Sequence, residues 1–171
     1  MNLTLSRRGD YVVRAAIFLG ATWDGHGAYA KIREVSQAME LPRSYTPQLL
    51  GILVKAGLAE AKAGRDGGFR LTRPPEHISV LEVIEAAEGH LVSQSCPLRG
   101  GPCHWDDVCA LHPTWARASE AIRSTLAATT LSEAAEVDRG LATGSASIAL
   151  PADGHRRATS KPKRASERSS T

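Results

Sequence analysis

Three cysteines fall within 14 residues, as Cys96-x6-Cys103-x5-Cys109, and His112 follows three positions after the last of them. The loop that carries them contains Pro97, Gly100, Gly101 and Pro102. Such a loop can wrap closely around an inorganic group and lend backbone amides to its sulfurs. Thiolates are soft donors that suit iron–sulfur clusters and zinc. Structural zinc sites are usually built on cysteine pairs about two to four residues apart, and no such pair occurs here, which favours iron and sulfide over zinc. An odd count argues against a disulfide framework and for a reducing, cytoplasmic setting. His26, His77, His90 and His155 have no metal-like company, and His104 beside Cys103 would point away from a shared ligand. His112 is better placed. It reads either as a ligand or as the first residue of a helix, packing on Trp115. With no Cys-x-x-Cys pair and no glycine-rich dinucleotide motif, a small thiol redox enzyme is disfavoured and the chain reads as a non-enzyme.

A core must hold these residues in place. Aromatics are only 5% of the 171 residues, against 42% apolar overall, so Leu, Val, Ile and Ala on helix faces have to fill it. Tyr11, Val12, Ala15, Ala16, Phe18 and Leu19 recur at helical spacing within 6–23, predicting an amphipathic helix that ends at the glycines of 24–27. Residues 31–39 read as a short helix broken by Leu41-Pro42. A third begins near Ser44–Pro47, with Ser44 or Thr46 as N-cap and Pro47 confined to its first turn. Leu49, Leu50, Leu53 and Val54 give its buried face, and Ala56-Gly57 closes it. This is the helix-turn-helix pattern. Residues 58–61 and 69–72 then flank Gly64-Arg65-Asp66-Gly67-Gly68, the signature of a hairpin and so of a basic wing.

Two capping boxes follow, Ser79-x-x-Glu82 and Thr130-x-x-Glu133. The first opens a helix that stops at Gly89, the second a short helix that ends near Asp138. Between them, 91–112 is irregular, and 113–128 is a long helix striped by Trp115, Ala118, Ile122 and Leu126. From Arg139 onward the composition predicts disorder. The expected fold class is mainly α with a small β wing. No apolar run approaches the roughly 18 residues of a membrane-spanning helix, and Met1–Asp10 lacks a secretion signal, so no membrane partner is expected.

The net charge of +3 divides unevenly, as +5 over residues 1–73, −7 over 74–138 and +5 over 139–171. A basic first segment beside an acidic middle suits a polyanion on one surface only. In a winged helix-turn-helix the second helix of the motif enters the major groove, which assigns base or backbone contacts to Arg43, Ser44, Tyr45, Thr46 and Gln48. Gln pairs with adenine, and Arg with guanine or phosphate. Lys62, Arg65 and Arg70 on the wing reach backbone or minor groove, and Arg7, Arg8 and Arg14 add phosphate contacts. Double-stranded DNA is the partner this combination implies. The alternative is a winged-helix protein with a structural zinc or no metal.

The motifs, in order, resemble the Rrf-two family of bacterial winged-helix transcriptional regulators, which includes the iron–sulfur cluster regulator and the nitric-oxide-sensing repressor. The resemblance spans about residues 1–138. It rests on Met1-Asn2-Leu3-Thr4, Asp10–Ala15, Ser44-Tyr45-x-x-Gln48-Leu49, Lys55-Ala56-Gly57-Leu58, Gly64-x-x-Gly67-Gly68-Phe69-x-Leu71, Ser79-Val80-x-Glu82-Val83-Ile84 and the three cysteines. It implies a homodimer joined through 113–128, and a cluster near the dimer interface that sets DNA affinity. Cys96, Cys103 and Cys109 match the family's three cysteine ligands. The fourth is either His112, the pattern that goes with a 2Fe–2S cluster, or Asp10 from the other subunit, which goes with 4Fe–4S. The four-iron form is slightly preferred, because a carboxylate at Asp10 sits among Arg7, Arg8 and Arg14. A surface salt bridge explains Asp10 equally simply.

Two departures keep the family's base preference from being transferred. Pro47 stands where the cluster-assembly regulator has an acidic residue, and Ala63 where it has an arginine, with Arg65 offset by two positions. The resulting expectation is a repressor that senses redox state, nitric oxide or iron–sulfur status. It has a DNA-binding domain at 1–75, a sensor loop with dimerisation helices at 76–138, and a disordered basic tail at 139–171.

Overall fold

The computed structural model describes residues 4–25, 28–91 and 109–145. Helix α1 spans Arg7–Ala21, α2 Ile32–Ala38 and α3 Thr46–Lys55, followed by strands β1 (Ala59–Lys62) and β2 (Gly68–Leu71). A single 3-10 turn at Pro75–His77 leads into α4 (Val80–Glu88), and α5 (His112–Ala128) and α6 (Leu131–Thr143) complete the described residues. None of these helices is long and apolar enough to cross a membrane. The mainly helical winged-helix fold read from the sequence is the fold observed.

The three- and four-residue spacing of α1 buries Val12, Ala15, Ala16 and Leu19, and the helix packs on α3, α4 and α6. Ser6 starts it by accepting the Gly9 amide at 3.1 Å. Leu49, Leu50 and Leu53 of α3 meet Val83 and Ala87 of α4 and Leu131 of α6 in one core around α1. The winged helix is therefore completed by helices from beyond residue 75.

Both capping boxes form as read. Ser79 and Glu82 cap α4, and Thr130 and Glu133 cap α6. The two starts are also tied to each other. Val80 donates to the Thr129 carbonyl at 2.9 Å and Leu131 to the Ile78 carbonyl at 2.7 Å, which makes residues 79 and 130 an antiparallel bridge. Between them α5 packs on α4 and has no buried residue among its 17. Leu5, Ile84, Leu91, Ile122 and Leu126 line an open, largely apolar groove of about 710 Å³ beside it.

One expectation fails here. Residues 139–143, assigned by composition to the disordered tail, continue α6 to Thr143, where Gly144 ends the helix with φ 69°. Once a helix is nucleated, each added residue gains a hydrogen bond at little further cost. A low-apolar composition therefore does not stop it before a residue that accepts the left-handed conformation. The rest of the tail, 146–171, lies outside the described residues.

Candidate nucleic-acid interface and cluster site

The turn between α2 and α3 is made without glycine. Glu40 has φ 53°, and the Leu41 amide reaches back to the Ser36 carbonyl at 2.9 Å, a Schellman-type helix end. A side chain in this region carries a steric cost of roughly 1–2 kcal/mol that glycine lacks. Glu40→Gly is therefore expected to raise stability by up to about 1 kcal/mol, read as a higher urea midpoint at unchanged slope.

Beyond that turn Arg43, Ser44, Pro47 and Gln48 are exposed, and Tyr45 is half-buried. Tyr45, not Ser44 or Thr46, occupies the N-cap of α3, with no side-chain cap. Thr46 departs from its expected role. It is fully buried, and its hydroxyl donates to the Pro42 carbonyl at 3.0 Å, so it fastens the turn and does not face a groove. Arg43, Ser44 and Gln48 remain as the outward set, and Tyr45 beside them packs partly against the core.

The wing pairs Glu60 with Arg70 and Lys62 with Gly68 across its strands. A single bridge residue, not read from the sequence, adds to it: Ala30 and Phe69 exchange both backbone hydrogen bonds at 2.9 Å. Gly68 permits this approach, since a Cβ there would lie 2.3 Å from the Ala30 carbonyl oxygen and its φ is +152°. Tyr29 stands over the sheet. Its hydroxyl donates to Glu60 at 2.7 Å, Arg70 Nε donates to the same oxygen at 2.5 Å, and the Arg70 guanidinium lies 4.7 Å from the Tyr29 ring centre. Arg70 is thus held within the wing, with its side chain 35% exposed. Lys62 lies 5.6 Å from the same ring, and Arg65 is exposed at the tip.

The Tyr29 hydroxyl, and then Arg70, hold the Glu60 carboxyl below its ordinary range. The bond to Glu60 in turn raises Tyr29. A carboxyl whose folded pKa is depressed stabilises the fold above its unfolded value and loses that contribution as pH falls through the folded one. The stability gap between wild type and Glu60→Gln is therefore expected to narrow as pH drops below about 4.5, the ordinary glutamate value. Thermal midpoints from neutral pH downward test this, and parallel curves would contradict it.

On α1, Arg8 donates to the Ala87 carbonyl at 2.6 Å, closing the end of α4. Arg14 pairs with Asp10 at 3.2 Å, both side chains nearly half exposed, so the surface salt bridge is formed. Arg7 is exposed.

Of the cysteines, Cys96 and Cys103 lie outside the described residues. Cys109 is half-buried, and its carbonyl accepts the His112 amide at 3.1 Å. One turn thus joins Cys109 to His112 at the entrance of α5. Among the described residues no group of three potential metal ligands is gathered. The donor types nonetheless fit a cluster: thiolates at 96, 103 and 109, with an imidazole at 112 and a carboxylate at 10 available in the sequence.

A helical core around α1, a glycine-free turn into an exposed helix face and a basic wing define a winged-helix, DNA-binding transcription regulator. The chain belongs to the Rrf2 family, whose profile, described as an iron-dependent transcriptional regulator, matches residues 5–136. It is 30% identical over 131 residues to the HTH-type transcriptional regulator IscR of Klebsiella pneumoniae (strain 342), covering 77% of this chain and 78% of that protein. Among solved structures it is similar to CymR, the global cysteine regulator of B. subtilis, with TM-score 0.66 and 25% identity over 79% of this chain and 98% of that one. It is likewise similar to T. potens IscR, with TM-score 0.62 and 28% identity over 83% and 92%. The relatives are regulators of transcription, not enzymes, as read.

Proposed function

We propose that this regulator is a cytoplasmic, homodimeric repressor whose DNA affinity is set by an iron–sulfur cluster held by Cys96, Cys103 and Cys109. The observation that carries the reading is the sequence of thiolates leading directly into α5, with Cys109 and His112 in one turn at its start. Likeness to IscR supports it. Asp10 from the opposite protomer or His112 completes the ligand set. The Arg14 pair is compatible with Asp10, because a carboxylate has two oxygens, and the 4Fe–4S form stays slightly preferred. When bound, such a cluster supplies an iron centre that reacts with oxidants and nitric oxide.

The protein's own part is mechanical. Cys109 anchors the sensor loop to α5, and α5 packs on α4, whose end is fastened to α1 through Arg8. Tying the three thiolates together therefore restrains the helices that carry the reading heads. A difference of about 1–3 kcal/mol between two dimer states changes affinity by roughly 5- to 150-fold. The unburied length of α5 and the groove beside it suit a second copy of the chain. Residues 1–75 read DNA, 76–138 sense and dimerise, and the basic residues beyond α6 form a tail.

Likeness to CymR favours a second reading, a cysteine-linked signal sensed without a cluster. Anaerobic purification separates the two. Visible absorbance with iron and sulfide in equal amounts on a native dimer is the expected result, and a colourless, iron-free protein with unchanged operator affinity overturns the cluster reading.

A further inference from the structure

The wing tip has an external anchor that comes from the other half of the DNA-reading unit. Gly64 and Gly67 fall within the five residues, 63–67, that join the strands of the hairpin, and glycines leave a loop with many conformations to lose. Hairpin pairing ends at Lys62 and Gly68, and within the tip the Gly67 amide donates to the Gly64 carbonyl at 3.1 Å. Lys31 ties that turn to the rest of the head. Its ammonium donates to the Arg65 carbonyl at 2.6 Å and to the Gly67 carbonyl. The Lys31 amide meanwhile donates to the Glu34 carboxylate at 2.8 Å at the start of α2. One residue thus stands at the N-cap position of the first helix of the helix-turn-helix and grips the loop that carries Arg65.

The charges around this point divide by task. Arg70 is committed to Glu60 and Tyr29, Lys62 lies beside the same ring, and Arg65 is exposed at the tip next to Asp66. Two of the three ammonium hydrogens of Lys31 face wing carbonyls, so its charge serves the loop before it can serve a phosphate.

We infer that Lys31 is a positioning residue for DNA recognition: it holds the glycine-rich tip at a fixed offset from α3, so that Arg65 meets a backbone phosphate while α3 lies in the groove. The inference rests on the wing meeting DNA. The two are separable by experiment.

The test is a double-mutant cycle on full-length protein with Arg65→Ala, Lys31→Met and the pair. The probe is a duplex enriched from a random pool by the wild type, titrated at several salt concentrations. Arg65→Ala is expected to weaken binding roughly tenfold and to lower the salt slope by about one phosphate. Lys31→Met is expected to give most of the same loss with a similar slope. The pair is expected to be no weaker than Arg65→Ala alone, because a misplaced arginine has nothing further to lose. Lys31→Arg, which keeps charge and donors, is expected to restore much of the affinity, and circular dichroism melts check that each variant folds. If Arg65→Ala binds like wild type, the wing does not meet DNA and the premise fails. If Arg65→Ala weakens binding but the two losses simply add, Lys31 touches DNA on its own account. If Lys31→Met binds like wild type, the tip holds itself. Either of the last two outcomes overturns the positioning role.

Discussion

Cys103→Ala protein, purified without oxygen, is expected to be colourless and to bind the enriched duplex about 5- to 150-fold more weakly than cluster-loaded wild type. Its affinity should match that of wild type stripped of iron by a chelator. Cys103 is chosen because it is the middle one of the three cysteines proposed to hold the cluster. Losing it leaves Cys96 and Cys109 too far apart in sequence to form a close zinc-type pair. Because cluster loss and the substitution both remove a cross-link, the thermal midpoint of the stripped wild type is the proper reference for stability. Equal DNA affinity for loaded, stripped and variant protein would leave the chain a DNA-binding regulator and remove the cluster as its switch.

Leu50→Ala is expected to cost about 2–5 kcal/mol of folding stability, a large share of the roughly 5–15 kcal/mol typical of a domain. Leu50 is fully buried on α3, in the core shared with α1, α4 and α6. Removing its side chain both withdraws apolar area and leaves a cavity that rigid neighbouring helices fill poorly. Two positions earlier, Gln48 is exposed on the same helix. Gln48→Ala is the matched control: denaturant midpoints should barely move, while the preference for one base at its contact falls by about 1–3 kcal/mol. Should Leu50→Ala unfold at the wild-type midpoint, the packing assigned to α3 is wrong.

The helices, the wing and both capping boxes were legible because their signals are local. A stripe at three- and four-residue spacing, a Ser or Thr three residues before Glu, and an Asp-Gly turn each act over a few residues. Thr46 was misjudged although its position was available. Residues 46, 49, 50 and 53 share one helical face, and extending the leucine stripe back by one turn would have put Thr46 inside. The Glu60–Arg70 pair also follows once the hairpin register is set, since the two stand directly opposite. What the sequence could not show is non-local. Ala30 joins the wing through a single bridge with no periodicity to announce it. Lys31 reaches carbonyl groups more than thirty residues away, and backbone acceptors leave no trace in residue type. Residues 139–143 were lost for a different reason, because a composition average over a long polar tail hides one more turn of helix.

The bridge between residues 79 and 130 has a consequence for how this chain can vary. The segment from α4 to the end of α5 begins and finishes at one point of the fold, like a thread drawn through a single eyelet, with α4 itself staying packed on α1 and α3. The ends of that excursion are held together whatever lies between them, and lengthening a closed loop costs only about 0.6 kcal/mol for each doubling. A sensing segment of another length, or built for another signal, could therefore be carried by the same DNA-reading head without moving α6 from its seat on α1.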